Sequence, residues 1–306
     1  MDTADEVRAH LGTLHEAVWE LAAVALALRD PATTDPEQRR AAERVLVESG
    51  LMVAAPAGGV RPAPGLVEIA GGEETKLAAQ AATGILQSAA LLSGASTWTK
   101  QDDEAILAQG RASAQGAPAF KAFAVPMMEG LGDLLSGPSP VMLDVGVGVG
   151  AMAAAYCDAF PSLRVVGLDV FPRALELARR TIDEAGMAER IELRNQDVAT
   201  LDDQDVFCLA WLPAPFVPRA AIEAGLPRMV RATVPGGWLM VGHGKFGERG
   251  LSDALTRLQT VAFGGTALNG DEAQDLLRDV GLEQVVSIPT PPGAPGITIG
   301  RRACQP

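Results

Sequence analysis

The sequence predicts an α/β fold in which a mostly parallel sheet follows a mainly helical N-terminal region. After residue 140, short apolar stretches alternate with amphipathic ones, which is typical of strands and helices in a doubly wound sheet. The last two apolar stretches are joined only by residues 289–296. That connection is too short for a crossover helix, so we expect the final pair of strands to be antiparallel.

The alternating pattern defines seven strands and five helices. We predict strands at 141–145, 164–168, 190–193, 205–210, 237–242, 283–288 and 297–301. We predict helices at 151–158, 172–185, 218–231, 251–262 and 271–280. The turn-rich segment Gly137-Pro-Ser-Pro140 separates this pattern from the helical region, so we place the domain boundary there, giving domains 1–137 and 138–306.

The N-terminal region begins with a predicted amphipathic helix over residues 4–29. Its apolar residues recur at steps of three, four or seven, namely Val7, Leu11, Leu14, Val18, Leu21 and Leu28. Such a stripe packs either on its own domain or on a partner subunit. We carry a homodimer as the hypothesis.

A second helix is predicted from Pro36 to Glu48, with Asp35 as its cap. A glycine-centred hairpin follows it, so the element is winged-helix-like. Its acidic and basic residues balance, which favours a structural wing over a DNA-binding one. Further helices are expected at 74–93 and at 102–136, the latter broken between Gly110 and Pro118.

Composition and charge exclude several classes of partner. The 306 residues carry a net charge of −13, which disfavours nucleic acid and anionic lipid as partners. There is no apolar run long enough to span a membrane, and the N-terminus is acidic where a secretory signal is basic. Cys157, Cys208 and Cys304 lack disulfide or metal-ligand spacing, so we expect a cytoplasmic protein without a metal.

The stretch from Val141 to Gly150 is a buried strand followed by a glycine-rich turn into a helix. This arrangement predicts a nucleotide-type cradle, because glycines let a ligand approach the backbone and helix N–H groups face it. Gly146, Gly148 and Ala151 fit a dinucleotide fingerprint. Gly146, Gly148 and Gly150 fit equally the loop that binds S-adenosyl-L-methionine (SAM).

Two aspartates favour SAM over a dinucleotide, and a third fits either cofactor. Asp144 precedes the loop, where a carboxylate would repel a pyrophosphate but could accept from the ammonium of a methionine moiety. Asp169 ends the second strand and could accept both ribose hydroxyls, which either cofactor would allow. Asp197 follows the third strand, where it could accept from the adenine amino group while Val198 offers a backbone N–H.

With these motifs, residues 141–301 resemble class I SAM-dependent methyltransferases. The likeness includes the loop from Asp144 to Gly150, Val234-Pro-Gly-Gly-Trp238 and the terminal strand pair. It implies a Rossmann-like, seven-stranded sheet with an antiparallel last strand, and an adenine flanked by Val170 or Phe171 and by Val198. The helical, winged-helix-like front resembles that of small-molecule O-methyltransferases, which implies a dimerisation domain that contributes to the substrate pocket.

Residues on the acceptor side are less diagnostic. O-methyltransferases place a His-Asp pair after the fifth strand; here only His243 is present, as a candidate general base or as a loop histidine without chemistry. Leu212-Pro-Ala-Pro-Phe216 lacks the polar first residue of enzymes that methylate nitrogen, so Trp211 and Phe216 belong either to an apolar wall beside the acceptor or to the core. Three more residues lie at helical spacing and belong either to the core or to a substrate wall, namely Phe120, Phe123 and Met127.

These features predict methyl transfer from SAM to a small, largely apolar acceptor, by in-line displacement in a base-poor pocket. Secondary metabolism is the expected setting, and transfer to oxygen, nitrogen or carbon stays open. Two alternatives remain. One is a SAM-fold enzyme with a different reaction, such as decarboxylation or hydroxylation, and the other is a non-catalytic SAM-binding subunit.

Overall fold

The computed structural model describes residues 3–29, 32, 34–56, 59–70, 74–92, 103–245, 250–290 and 295–304. The chain divides into two compact units, Met1–Ser93 and Gly94–Pro306. The predicted boundary at 137/138 therefore lies inside the second unit, because the helices just before it pack on the helices of the sheet. None of the described helices is long and apolar enough to cross a bilayer.

The first unit is a helical cluster with one small hairpin. Its elements are α1 (Ala4–Ala27), α2 (Pro36–Glu48), β1 (Met52–Ala54), β2 (Val60–Pro62), α3 (Pro64–Ala70) and α4 (Glu74–Leu92). As predicted, the Asp35 side chain caps α2, accepting from the N–H groups of Glu37 and Gln38. The strands β1 and β2 pair antiparallel directly after α2, so a helix followed by a hairpin is confirmed.

The apolar stripe of α1 divides into a covered and an uncovered part. The C-terminal alanines Ala23, Ala25 and Ala27 are buried, and α1 packs there on α2 and α4. The side chains of the predicted stripe that lie between Val7 and Leu21 are 41% to 60% exposed. Packing on its own unit therefore accounts only for the last turns of this helix.

A series of short helices leads into the sheet. They are α5 (Asp103–Ala114), α6 (Ala117–Ala119), a π-helical turn (Phe120–Ala124), a 3-10 turn (Val125–Met127) and α7 (Leu131–Leu135). The sequence predicts a break from Gly110, but α5 continues through it to Ala114. A Cβ on Gly110 would lie 2.1 Å from Val149 Cγ2, so this glycine serves close packing. Residues 93 and 102, two predicted helix ends, lie outside the described residues.

The second unit is built on the predicted seven-stranded sheet. Strand and helix alternate as β3 (Val141–Val145), α8 (Ala151–Ala159), β4 (Arg164–Asp169), α9 (Pro172–Glu184), β5 (Ile191–Asn195), β6 (Phe207–Pro213), α10 (Arg219–Ala232), β7 (Thr233–His243), α11 (Leu251–Ala262), α12 (Gly270–Asp279), β8 (Glu283–Ile288) and β9 (Gly296–Arg301). The strand order is β5-β4-β3-β6-β7-β9-β8, and β9 runs antiparallel to both neighbours. The predicted fold class is confirmed.

Each face of the sheet carries its own apolar core. One contains Met142, Tyr156 and Trp238, and the other contains Leu143, Leu212 and Leu239. Because β3 to β7 pair in parallel, their carboxyl ends lie at one edge of the sheet, where ligands bind in open α/β sheets.

At the opposite, amino-terminal edge, Arg190 joins three segments. Its guanidinium donates to the carbonyl oxygens of Cys157, Phe160 and Leu163 at 2.7 to 2.8 Å. The end of α8 and the residues just before β4 and β5 are thereby tied together.

Candidate active site

The glycine loop between β3 and α8 has a backbone that other residues would strain. Gly146, Gly148 and Gly150 have φ values of 68°, 57° and 74°, in the left-handed region. A Cβ on Gly150 would also lie 2.9 Å from Ile182 Cδ1. All three predicted loop glycines are therefore required by the shape of the turn.

Asp144 is the most unusual group of this edge. Its side chain is 1% exposed, and neither carboxylate oxygen has a hydrogen-bond partner among the residues that the structure describes. Burial, and next the negative charge of Asp169, raise its pKa from an ordinary 3.8 to about 8. Buried polar groups in native proteins are normally paired, so this carboxylate points to a ligand that supplies a donor.

Asp169 lies at the end of β4 and holds the loop. Its carboxylate accepts from the backbone N–H of Gly148 at 2.9 Å and from that of Phe171 at 2.8 Å. Burial raises the pKa of Asp169, although these backbone hydrogen bonds act in the opposite direction. Each carboxylate oxygen has two acceptor sites, so the side chain can still accept from a ribose hydroxyl.

The residues predicted around adenine are only partly available. Val170 is exposed, and Phe171 is half-buried against Ile106 and Val149. Asp197 caps the turn after β5, accepting from the N–H of Ala199. The Val198 side chain differs from the prediction: it is buried against α10, where a Cβ on Gly225 would lie 2.8 Å from it, so it cannot flank a ligand in this conformation.

These features fit SAM chemically. An unpartnered carboxylate can accept from an ammonium group, the exposed backbone at Gly146 can bind a ligand carboxylate, and Asp169 can accept from a ribose. A dinucleotide would instead bring its negative pyrophosphate beside Asp144, which a carboxylate would repel.

The end of β6 lies directly beside this cradle. Trp211 is paired in register with Asp144, so the two side chains lie next to each other on one face of the sheet. The indole packs over Gly242 of β7, where a Cβ would lie 2.4 Å from Trp211 Cη2. Phe216 stacks on Phe263 with ring centroids 5.0 Å apart. Trp211 therefore lies beside Asp144, and its role in an apolar wall for the acceptor stays a prediction.

His243 is not placed as a general base. Its ring is 4% exposed, Nδ1 lies 2.8 Å from the carbonyl oxygen of Gly244, and Nε2 lies 3.0 Å from the hydroxyl of Thr298. Gly270 and Gly296 close around the ring, and burial lowers its pKa. The imidazole is held between β7, β9 and α12, a placement that argues against a general base, and the catalytic role of His243 stays a prediction.

The three hydrophobic residues proposed for a substrate wall differ in their exposure. Phe120 is a core residue, with its ring 5.1 Å from Tyr156 and 6.2 Å from Phe160, which corrects its assignment to the substrate. Phe123 and Met127 are exposed, so both can still contact an acceptor.

Gly242 was not among the predicted site residues. A glycine inside a strand often marks a close approach of another group, and that signal was present in Val-Gly-His-Gly. Here the group is Trp211, whose position beside Asp144 depends on the absence of a side chain at Gly242.

Comparisons with known proteins agree with this geometry. Residues 142–237 match a family model described as a methyltransferase domain. Release factor glutamine methyltransferase of Rhodopirellula baltica is 29% identical over 130 residues, which cover 42% of this chain and 44% of that protein. The match thus spans less than half of that curated relative.

Solved structures resemble the whole chain. An O-methyltransferase family protein from Burkholderia thailandensis has a TM-score of 0.60 at 17% identity, covering 100% of this chain and 99% of that one. Human N-acetylserotonin methyltransferase in complex with SAM has a TM-score of 0.60 at 16% identity, covering 99% of both. These likenesses show the fold. With the family match and the unpartnered Asp144, they identify residues 142–237 as a SAM-dependent methyltransferase domain.

Proposed function

We propose that the chain transfers a methyl group from SAM to a small, largely apolar metabolite of secondary metabolism. The observation that carries the proposal is the register pair of Asp144 and Trp211. It puts an aromatic surface next to the group that would hold the methionine end of the donor. A flat apolar acceptor packed on Trp211 would then lie beside the donor.

The chain's own groups would bind and align the two reactants. Asp144 would accept from the ammonium, the loop backbone would bind the carboxylate, and Asp169 would accept from the ribose. When bound, SAM supplies an electrophilic methyl on a sulfonium, whose leaving thioether needs no acid. The rate gain then comes from alignment and the exclusion of water by the wall.

An acceptor that packs on Trp211 should be nucleophilic without a general base. Both nitrogens of His243 are engaged, and Leu212 is fully buried where nitrogen-methylating enzymes begin a polar motif. Amines, carbon nucleophiles and acidic phenols therefore fit better than an ordinary alcohol. This also argues against the glutamine amide named for the Rhodopirellula relative, because no polar side chain replaces Leu212.

The test is methyl transfer from isotope-labelled SAM to a panel of phenols, aromatic amines and activated carbon acids. Labelled product together with equimolar S-adenosylhomocysteine (SAH) would support the proposal. Binding of SAM without SAH formation for any acceptor in a metabolite extract would favour a non-catalytic subunit. Conversion of an acceptor without incorporation of label would indicate a different reaction.

The same proposal includes a homodimer formed through α1. Exposed apolar residues from Val7 to Leu21 form a continuous stripe that is costly to leave in water. Light scattering should give twice the chain mass for the wild type. Leu11→Lys and Leu14→Lys should give monomer, whereas the control Glu16→Lys, on the same helix, should stay dimeric. A monomeric wild type at micromolar concentration would overturn this part.

A further inference from the structure

Helix α5 covers the glycine loop from outside. Its residue Gly110 approaches so closely that a Cβ would lie 2.1 Å from Val149 Cγ2 and 3.5 Å from the Cβ of Ala151. Ile106 of the same helix is buried with Val149 and Leu177, and Phe171 packs on this cluster. One helix therefore touches the loop, the start of α8 and the residues just after Asp169.

An ion pair fixes the first turn of this helix to α9. Asp103 is the first residue of α5, and its two carboxylate oxygens accept from Nε and Nη2 of Arg173, the former at 2.9 Å. A two-bond pair of this kind sets the orientation of both groups. Arg173 is the second residue of α9 and lies two positions after Phe171.

The ion pair between Asp103 and Arg173 contributes little to the free energy of unfolding. The side chains of Arg173 and Asp103 are 41% and 43% exposed, and exposed pairs contribute weakly to folding. The contact joins two helices that are far apart in sequence, and it lies beside the glycine loop and Phe171. We therefore relate it to the cofactor site and not to stability.

We propose that Asp103 and Arg173 are a positioning pair for the cofactor. They hold α5 against Val149 and Phe171, so that the adenosine half of SAM or SAH meets a preformed wall. Neither residue needs to touch the ligand. Without the pair, the first turn of α5 separates from α9, and the ligand must order it again on binding.

The test is SAH binding, measured by titration calorimetry, since it is independent of any acceptor. Asp103→Ala and Arg173→Ala should each weaken SAH binding about fivefold. The double variant should be no weaker than Arg173→Ala, because that single variant already removes the pair, together with the exposed bond from Arg173 to Glu176 on the same helix. Arg173→Lys, which keeps the charge and loses the fork, should fall between wild type and alanine. The control Asp275→Ala removes the exposed pair with Arg278 on α12 and should bind SAH normally.

Two further measurements separate positioning from a purely structural role. Backbone amides of α5 should exchange faster in the alanine variants without ligand, and should recover protection when SAH is saturating. With any active acceptor, the KM for SAM should rise while kcat changes less than about twofold. Unchanged SAH affinity in folded variants, or additive losses in the double variant, would overturn the proposal. Failure to find an acceptor would leave this test intact.

Discussion

Replacing Asp144 with asparagine should stabilise the cofactor-free protein while weakening cofactor binding. The carboxylate is buried without a donor among the described residues, and Asp169 adds a second negative charge nearby, so its pKa is raised to about 8 in the folded chain. Asparagine has nearly the same shape and carries no charge. The free energy of unfolding should therefore differ between the two proteins in a way that depends on pH.

The sign follows from proton binding. The folded protein keeps the Asp144 proton up to about pH 8, whereas the unfolded chain loses it near 3.8. The contribution of Asp144 to wild-type stability is thus fully present below about pH 4 and is lost as the pH rises towards 8. At about 1.4 kcal/mol for each pH unit, the loss is about 6 kcal/mol at most. The asparagine side chain does not titrate. The free energy of unfolding of the variant should therefore increase relative to that of the wild type as the pH rises across this range.

Urea unfolding without cofactor at a series of pH values between about 5 and 8 measures this difference. The advantage of Asp144→Asn should grow with each step, while SAH affinity at about pH 8 should fall about 10- to 100-fold with the loss of an ionic hydrogen bond. Asp158→Asn, which changes an exposed acid of α8, should show neither effect. A stability difference that is independent of pH would refute the reasoning.

Three other substitutions test the site. Asp169→Ala should weaken SAM binding about 10- to 100-fold by calorimetry, through the loss of charged hydrogen bonds, and unchanged affinity would refute a ribose role. Gly242→Ala should displace the Trp211 indole and lower kcat at least about tenfold with SAM affinity kept, whereas a normal kcat would separate the indole from transfer. His243→Gln should keep turnover within about tenfold, and a loss of about a hundredfold would restore the base. Burial lowers the His243 pKa, so the contribution of this residue to stability is lost as the pH falls below 6.5, and in thermal melts His243→Gln should become more stable relative to the wild type over that range.

The cofactor half of the site was predictable because it rests on backbone chemistry. Gly146, Gly148 and Gly150 are required by positive φ values, and strand ends carry Asp144 and Asp169 to one edge whatever the side chains around them. Periodicity also located every strand of the seven-stranded sheet, since buried parallel strands are short apolar runs.

The acceptor half depended on packing that no local pattern reveals. His243 ends β7 at the expected edge, but its side chain turns towards α12 and β9, where Gly270 and Gly296 leave room for the ring. Phe120 has the spacing of a helix face and is buried by Tyr156 and Phe160, which are adjacent to it only in the folded chain. Which face of an element is covered is decided by its neighbours.

Arg190 places a stabilising contact at the edge of the sheet opposite the predicted cofactor site. Its three carbonyl bonds anchor α8, β4 and β5 at the edge away from the cofactor. The glycine turn and the repelling acids at the other edge can therefore persist, because the segments that carry them are fastened at the edge away from the predicted cofactor site. Stabilising substitutions around Arg190 should raise the melting temperature without altering catalysis, so this edge is the place to engineer a more durable enzyme.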